Sequence, residues 1–240
     1  MNLCIDAGNT RVKAALFGDG KMLIDFVIFS EFDMEQLNTW LADRPVDRVI
    51  LSSVRAAGLP WEAELAHKPN FHRFSIDSKM PIKINYNTPL TLGLDRLAGV
   101  IGARSLIING AILTIDCGTC ITMNCLDENS YYQGGSISPG LRMRLKALHQ
   151  FTGRLPLLSL EKPEQLIGKT TGESILSGAI GGAAREIEAS IAAYLQLYPN
   201  LTVIITGGDG DFLVSQIKKQ IFAVPYLVLQ GLNEILILNV

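Results

Sequence analysis

The sequence is short of charge, of histidine and of long apolar runs, and each shortage excludes something. Charged residues make up 18% of the 240 positions, with 21 Lys and Arg against 23 Asp and Glu and a formal net charge of −2. No basic field exists to condense on nucleic acid or on an anionic membrane, so neither is an expected partner. No apolar run approaches the roughly 18 to 20 residues that span a bilayer; ILTI (112–115) and TVIIT (202–206) are strand-sized. The N-terminus has no basic segment ahead of a long apolar one, because Asp6 interrupts the first apolar run. No secretory signal is read there, and a cytoplasmic protein is expected. The histidines (His67, His72, His149) provide no partner at metal-site spacing for the Cys117–Cys120 pair, and neither do Cys4 and Cys125. A redox C-x-x-C would need a helix starting at Cys117, whereas CITMNCL has strand character, so these cysteines read as small residues beside a glycine turn.

What is present is a hydrophobic share of 48%, which together with the low charge suits an α/β protein with strands covered on both faces. Strands are expected at Leu3–Asp6, Val12–Phe17 and Lys21–Ile28, joined by AGNT and by the hairpin signal GDG at Gly18 to Gly20. Helix Met34–Ala42, strand RVILSS, helix Trp61–His67 and strand FHRFSI follow, then an extended PIKINYNTP. Pro89 suits the first turn of a helix running to Asn109–Gly110. After Gly110 the pattern restarts with strands AILTID, CITMNCLD and YYQGGSIS. A basic helix opened by Pro139, a long helix Thr171–Leu197, strand TVIITGGD, another helix, VPYLVLQG and a terminal helix NEILIL complete the chain. Two halves with the same element order imply a duplicated unit, with domains at 1–109 and 110–240 enclosing a cleft.

Each half opens on the same signature, LCIDAGNT (3–10) and LTIDCGTC (113–120): an apolar strand, Asp, one spacer, Gly and a small polar residue. A phosphate-binding turn needs free backbone N–H groups, glycine for close approach and small hydroxyls or amides to complete the shell. The Asp at each strand end adds a ligand, direct or through water, for the Mg²⁺ that neutralises a nucleoside triphosphate. Lys13, early in the second strand, offers a cation to a phosphate. A single D-x-G-N is an ordinary turn; two copies after apolar strands, one with Lys13, favour phosphate binding.

Other nucleotide grips are missing. Gly168-Lys169-Thr170 has Pro163 where a P-loop needs its first Gly, and Gly208 and Gly210 are followed by Leu213 instead of a third Gly. In TPLTLGLDR (88–96), Asp95 and Arg96 stand side by side in an otherwise apolar helix. They read either as a satisfied interface ion pair or as a base beside an anion-binding partner; a nearby kinase cleft favours the second. TGGDG (206–210) follows a strand and reads equally as a plain turn or as a surface for adenosine.

Taken in order, DAGNTRVK (6–13), Tyr86 with LGLDR (92–96), DCGTCIT (116–122), GGSISPG (134–140), GKTTGESILSG (168–178) and TGGD (206–209) resemble the type III pantothenate kinases. That family lies within the acetate and sugar kinase, heat-shock chaperone and actin superfamily. The resemblance implies two ribonuclease-H-like domains with mixed sheets, a homodimer, and ATP-dependent phosphorylation of pantothenate, the first step of coenzyme A synthesis. Residue by residue it implies ATP and phosphate contacts from Asp6, Ala7, Gly8, Asn9, Thr10, Arg11, Val12 and Lys13, with Asp6 on the Mg²⁺ side. Gly118 and Thr119 belong to the ATP site, as do Gly207 and Gly208. Asp95 is the implied general base, with Tyr86, Gly93, Leu94 and Arg96 lining the pantothenate site. Asp116 is the implied holder of a monovalent cation, K⁺ or NH₄⁺, and Thr171, with His149, reaches pantothenate across the subunit interface. One departure stands out: the family closes its second turn motif with Asp, where this chain has Asn124. Asn keeps the shape and loses a charge. Two alternatives follow, a catalytically weak relative that binds ATP or pantothenate as a regulator, and a kinase for another small hydroxylated substrate.

Overall fold

A computed structural model describes residues 1–18, 21–55, 59–218 and 220–240. The chain divides into two compact units: Met1–Ile108, Ser130–Tyr132 and Tyr226–Val240 form unit 1, and Asn109–Asn129 with Gln133–Pro225 form unit 2.

Unit 1 opens with β1 (Asn2–Ala7), β2 (Val12–Phe17) and β3 (Leu23–Phe29), an antiparallel meander. Asp19 and Gly20 of the expected GDG hairpin lie outside the described residues. Helix α1 (Met34–Leu41) starts where Asp33 accepts a hydrogen bond from the Gln36 backbone N–H, and leads into β4 (Arg48–Ser53), parallel to β1. Helix α2 (Pro60–Ala66) then returns the chain to β5 (Phe71–Arg73), giving the sheet order β3-β2-β1-β4-β5. Side chains alternate across these strands. Leu3, Ile5, Ala7, Val12, Ala14, Leu16, Val49 and Leu51 meet Leu37, Leu41, Trp61 and Leu65 of α1 and α2 on one face. The opposite face therefore carries Cys4, Asp6, Lys13 and Ser52.

The expected extended segment contains a short strand, β6 (Lys83–Ile84), which pairs in parallel with Tyr131 and Tyr132. The helix expected from Pro89 onward is interrupted. Pro89–Thr91 makes a single 3₁₀ turn, Leu92 is extended, and α3 (Leu94–Leu106) begins with Gly93 at its N-cap.

Unit 2 repeats the plan. Strand β7 (Ile112–Cys117) is antiparallel to β8 (Cys120–Leu126), and β9 (Tyr131–Pro139) continues from its first two residues into unit 2. Helix α4 (Leu141–Gln150) follows, capped by Gly140. The long helix expected over Thr171–Leu197 is α5 (Thr171–Leu176), a π-helical turn Ser177–Gly181 and α6 (Gly182–Leu197). Three glycines, Gly178, Gly181 and Gly182, fall in or beside that widened turn, where helix propensity is lowest. Then come β10 (Thr202–Thr206), α7 (Gly210–Val214) and β11 (Phe222–Ala223), with β10 parallel to β7 and β11 parallel to β10. The order β11-β10-β7-β8-β9 mirrors β5-β4-β1-β2-β3, so the duplication expected from the sequence exists strand for strand.

The final helix, α8 (Leu227–Asn239), joins VPYLVLQG and NEILIL into one element and belongs to unit 1, whereas a boundary at 110 would put it in the second half. Its reason is packing. A Cβ on Gly231 would stand 1.8 Å from the Ala98 carbonyl oxygen, and one on Gly102 would stand 2.2 Å from that of Leu227, so α3 and α8 touch backbone to backbone. Asn2 Nδ2 donates to Asn233 Oδ1 at 2.8 Å, tying α8 to the start of β1. Among the described residues no helix is long and apolar enough to cross a membrane.

Candidate functional site

In unit 1, Asp6 and Ala7 end β1, Gly8 to Arg11 form the turn, and Val12 and Lys13 open β2. The hairpin register sets Asp6 opposite Lys13, and the parallel register of β4 sets Ser52 on the other side of Asp6. A hydroxyl, a carboxylate and a cation thus share one row on one face. Asp6 is 8% exposed and Ser52 1%, while Asn9, Thr10 and Arg11 are exposed at the turn itself. The turn is held from outside: Arg55 Nε donates to the Gly8 carbonyl at 2.9 Å, and the Arg55 N–H donates to Ser53 Oγ.

The second cluster of unit 1 gathers at the start of α3. Asp95 Oδ1 accepts from the Arg96 backbone N–H at 2.9 Å, which folds the carboxylate back over the N-cap. A Cβ on Gly93 would lie 2.5 Å from that oxygen, so glycine is what lets Asp95 take this pose. Arg96 is buried with its guanidinium 5.9 Å from the centre of the Tyr132 ring, and Tyr86 packs edge-on against the same ring at 6.0 Å. Tyr132, fully buried, brings Tyr86 and Arg96 into one group with a half-exposed carboxylate beside them. Leu94 is the first residue of α3 in that group.

In unit 2, Asp116 occupies on β7 the place of Asp6 on β1. Its row neighbours are Thr122 on β8 and Thr206 on β10. Gly118 and Thr119 make the two-residue turn, closed by the Gly118 N–H donating to the Cys120 carbonyl at 3.0 Å. Gly207 has φ +93°, and a Cβ there would sit 2.4 Å from Asp116 Oδ1 and 2.5 Å from the Cys117 carbonyl oxygen. The backbone after β10 is therefore wrapped against the Asp116 carboxylate, while next to Gly208 nothing stands within 4 Å. Burial raises the Cys117 thiol pKa, and the negative charges of Asp116 and Asp209 raise it further. Asn124, 2% exposed, lies on the Asp116 face one pair further along the hairpin, opposite Thr114, and donates to Thr122 Oγ1 at 3.4 Å.

His149 and Thr171 stand on separate elements of unit 2. His149 is exposed near the end of α4 with Nδ1 2.8 Å from the Leu155 carbonyl oxygen. Thr171 is the exposed first residue of α5, behind a capping box made by Thr170 and Glu173. Sequence reasoning gave no role to Ser52, to Thr206 (although TGGD was singled out), to Arg55 or to Tyr132. The first two had a readable signal, a hydroxyl closing an apolar strand in RVILSS and TVIIT; the others depend on contacts across the fold.

The residues present fit a nucleotide with its divalent cation. Asp6 is a buried strand-end carboxylate beside Ser52 Oγ, which is buried without a hydrogen-bond partner among the described residues, and Mg²⁺ characteristically uses one or two carboxylates plus phosphate oxygens. Asp116 stands in a row with the Thr122 and Thr206 side chains, and only glycine fits at position 207 against its carboxylate.

Comparison with known proteins is consistent along the chain. The sequence pattern of the type III pantothenate kinases matches residues 2–193. The chain is 37% identical over 240 residues to the type III pantothenate kinase of Flavobacterium johnsoniae, covering 98% of this chain and 96% of that one. It is 42% identical over 241 residues to that of a Bacteroides fragilis strain, covering 100% and 98%. Among solved structures, a conserved Baf family protein from Campylobacter jejuni aligns with TM-score 0.65 at 20% identity, over 97% of this chain and 96% of the other. The activator of 2-hydroxyisocaproyl-CoA dehydratase from Clostridium difficile, solved with ADPNP, aligns with TM-score 0.52 at 11% identity, over 99% and 93%. At these identities the two structures speak to fold alone.

Proposed function

This chain belongs to the type III pantothenate kinase family, and we propose how its residues divide the work of that reaction. It is a kinase that transfers the γ-phosphoryl group of ATP to pantothenate, opening coenzyme A biosynthesis. The observation that carries the assignment of roles is the agreement between a family match along the whole chain and the two Asp-ended hairpins in equivalent places of a duplicated fold.

Asp6 to Lys13 contact the phosphates: Asn9, Thr10 and Arg11 are exposed at the turn, and Lys13 supplies a cation in the same row as Asp6. Asp6 is the carboxylate that would hold a divalent cation brought with the nucleotide, which would neutralise phosphate charge there. Gly118, Thr119, Gly207 and Gly208 belong to the ATP contacts, supported by the open space at Gly208. Asp116 would hold a monovalent cation, K⁺ or NH₄⁺, supported by its place on β7, equivalent to that of Asp6 on β1, in a row with Thr122 and Thr206.

Asp95 accepts the proton of the primary hydroxyl of pantothenate as that oxygen attacks the γ-phosphorus in line. Its bond to the Arg96 N–H fixes one carboxylate oxygen and leaves the other for the substrate. Arg96 meets the pantothenate carboxylate, steadied by the Tyr132 ring, and Tyr86 with Gly93 and Leu94 lines the same pocket. Two copies pair as a homodimer, with Thr171 and His149 of one lining the pantothenate site of the other; exposed Phe151, Leu166 and Ile167 between them support an interface there. The proposed compartment is the cytoplasm, where ATP is available.

A coupled assay of ADP release with and without pantothenate, repeated with K⁺ replaced by Na⁺, tests both substrate and monovalent ion. Asp95→Asn is expected to lower turnover about 10²-fold or more with the fold intact. Near-normal turnover in that variant would remove Asp95 from the base role.

A further inference from the structure

Ser52 has no place in the reaction as described so far, yet its setting is unusual. It is 1% exposed, and its Oγ has no hydrogen-bond partner among the described residues. A buried hydroxyl without a partner destabilises the folded state, so strands rarely keep one. The register of β4 on β1 pairs Ser52 with Asp6, and register pairs in adjacent strands stand about 4.8 Å apart with side chains on the same face. The alternation gives the face: Val49 and Leu51 point into the core with Leu3, Ile5 and Ala7, so Ser52 and Asp6 both point the other way. The residues that flank this row are Lys13 and, beyond it, Ile28. The second unit repeats the arrangement with Thr206 beside Asp116. A hydroxyl next to the strand-end carboxylate is thus present in both copies of the unit, on the strand that pairs in parallel.

We propose that Ser52 is a positioning residue for the phosphoryl-transfer site, its hydroxyl reserved for the oxygen shell of the divalent cation that assembles on Asp6 with the nucleotide. This rests on the reading of Asp6 as the cation-side carboxylate. Water bound to a divalent cation donates strongly to a neighbouring oxygen. Ser52 Oγ is an acceptor at the required row, and its own proton can be given to an Asp6 oxygen. The hydroxyl acts on the metal shell and on Asp6, and it leaves the metal-free nucleotide untouched.

The test is nucleotide binding by calorimetry with purified full-length protein, using ADP with Mg²⁺ in one arm and ADP with EDTA in the other, read beside thermal midpoints of the unliganded proteins. Ser52→Ala is expected to weaken ADP binding about tenfold in the Mg²⁺ arm and to leave the EDTA arm unchanged. Ser52→Thr, which copies the hydroxyl that Thr206 provides in unit 2, should restore the Mg²⁺ arm. The unliganded Ser52→Ala midpoint should equal or exceed the wild-type one, since no protein hydrogen bond is lost; Ser52→Cys serves as a second variant of nearly equal volume. Equal losses in both arms, no loss in either, or a lowered unliganded midpoint would each overturn the proposal. If wild-type protein gains no affinity from Mg²⁺, the reading of Asp6 fails instead, a result distinguishable from failure at Ser52.

Discussion

Two neighbouring glycines should respond differently to the same one-carbon change, one in stability and the other in ligand binding. Gly207 has φ +93°, and an added Cβ would fall 2.4 Å from Asp116 Oδ1 and 2.5 Å from the Cys117 carbonyl oxygen. Left-handed backbone costs a non-glycine residue about 1–2 kcal/mol, and overpacking against backbone adds about 1–3 kcal/mol. Gly207→Ala should therefore destabilise by roughly 2–5 kcal/mol, lowering the thermal midpoint of a chain this size by at least about 4 °C. Gly208→Ala meets nothing within 4 Å, and should stay within about 0.5 kcal/mol of wild type. Its effect belongs to the ligand: the new methyl occupies space proposed for adenosine, so KM for ATP rises while the midpoint holds. Differential scanning calorimetry and initial-rate kinetics on both variants read the contrast. Equal midpoints for the two alanines would refute the close approach of the β10 turn to Asp116, and an unchanged KM in Gly208→Ala would remove that glycine from the ATP site.

Three further outcomes follow from packing and titration. Burial raises the thiol pKa of Cys4 and, with neighbouring charge, that of Cys117, and takes that of Cys125 to about 11. A thiol whose folded pKa is raised contributes stability that is complete below the unfolded value near pH 8.5 and declines as pH rises toward about 11. Chemical denaturation at increasing pH should show that decline, and a thiol reagent at pH 8 should find only Cys120 before denaturant is added. Gly231→Ala, whose Cβ would lie 1.8 Å from the Ala98 carbonyl oxygen, should cost roughly 3 kcal/mol, the upper end of ordinary overpacking. A midpoint unchanged by that substitution would contradict the α3–α8 contact.

Much of the fold was legible because each half is written locally. Val12–Phe17 forms β2 with the expected bounds, and the strand meanders after Asp6 and Asp116 follow from short apolar runs and tight turns. The Asp-Gly turns were readable as chemistry for the same reason, since their glycines, carboxylates and Lys13 are adjacent in sequence. Elsewhere tertiary contact decided the outcome. The helix expected from Pro89 breaks at extended Leu92 and restarts from Gly93, where a Cβ would meet the Asp95 carboxylate. The π-helical turn at Ser177–Gly181 interrupts a stretch whose composition reads as continuous helix. Tyr132, which holds Arg96 and Tyr86, is one tyrosine of a YYQ strand until the register of β6 brings it to them. Ser52 gains meaning only through its pairing with Asp6.

The seating of α8 on α3 and β1 bears on how the molecule is made. Asn2 reaches its hydrogen-bond partner Asn233 across 231 positions. During synthesis the first sheet leaves the ribosome long before the helix that covers it, whereas Asn109–Asn129 and Gln133–Pro225, the whole of unit 2, are complete before α8 is translated. The whole of unit 2 is thus synthesised before the last element of unit 1, although most of it follows unit 1 in the sequence. The nascent sheet of unit 1 waits without its last helix, and incompletely packed states are prone to association. Premature termination within the codons for Tyr226–Val240 would leave unit 2 whole and unit 1 open, so the defect would surface as aggregation of the half that had been translated first.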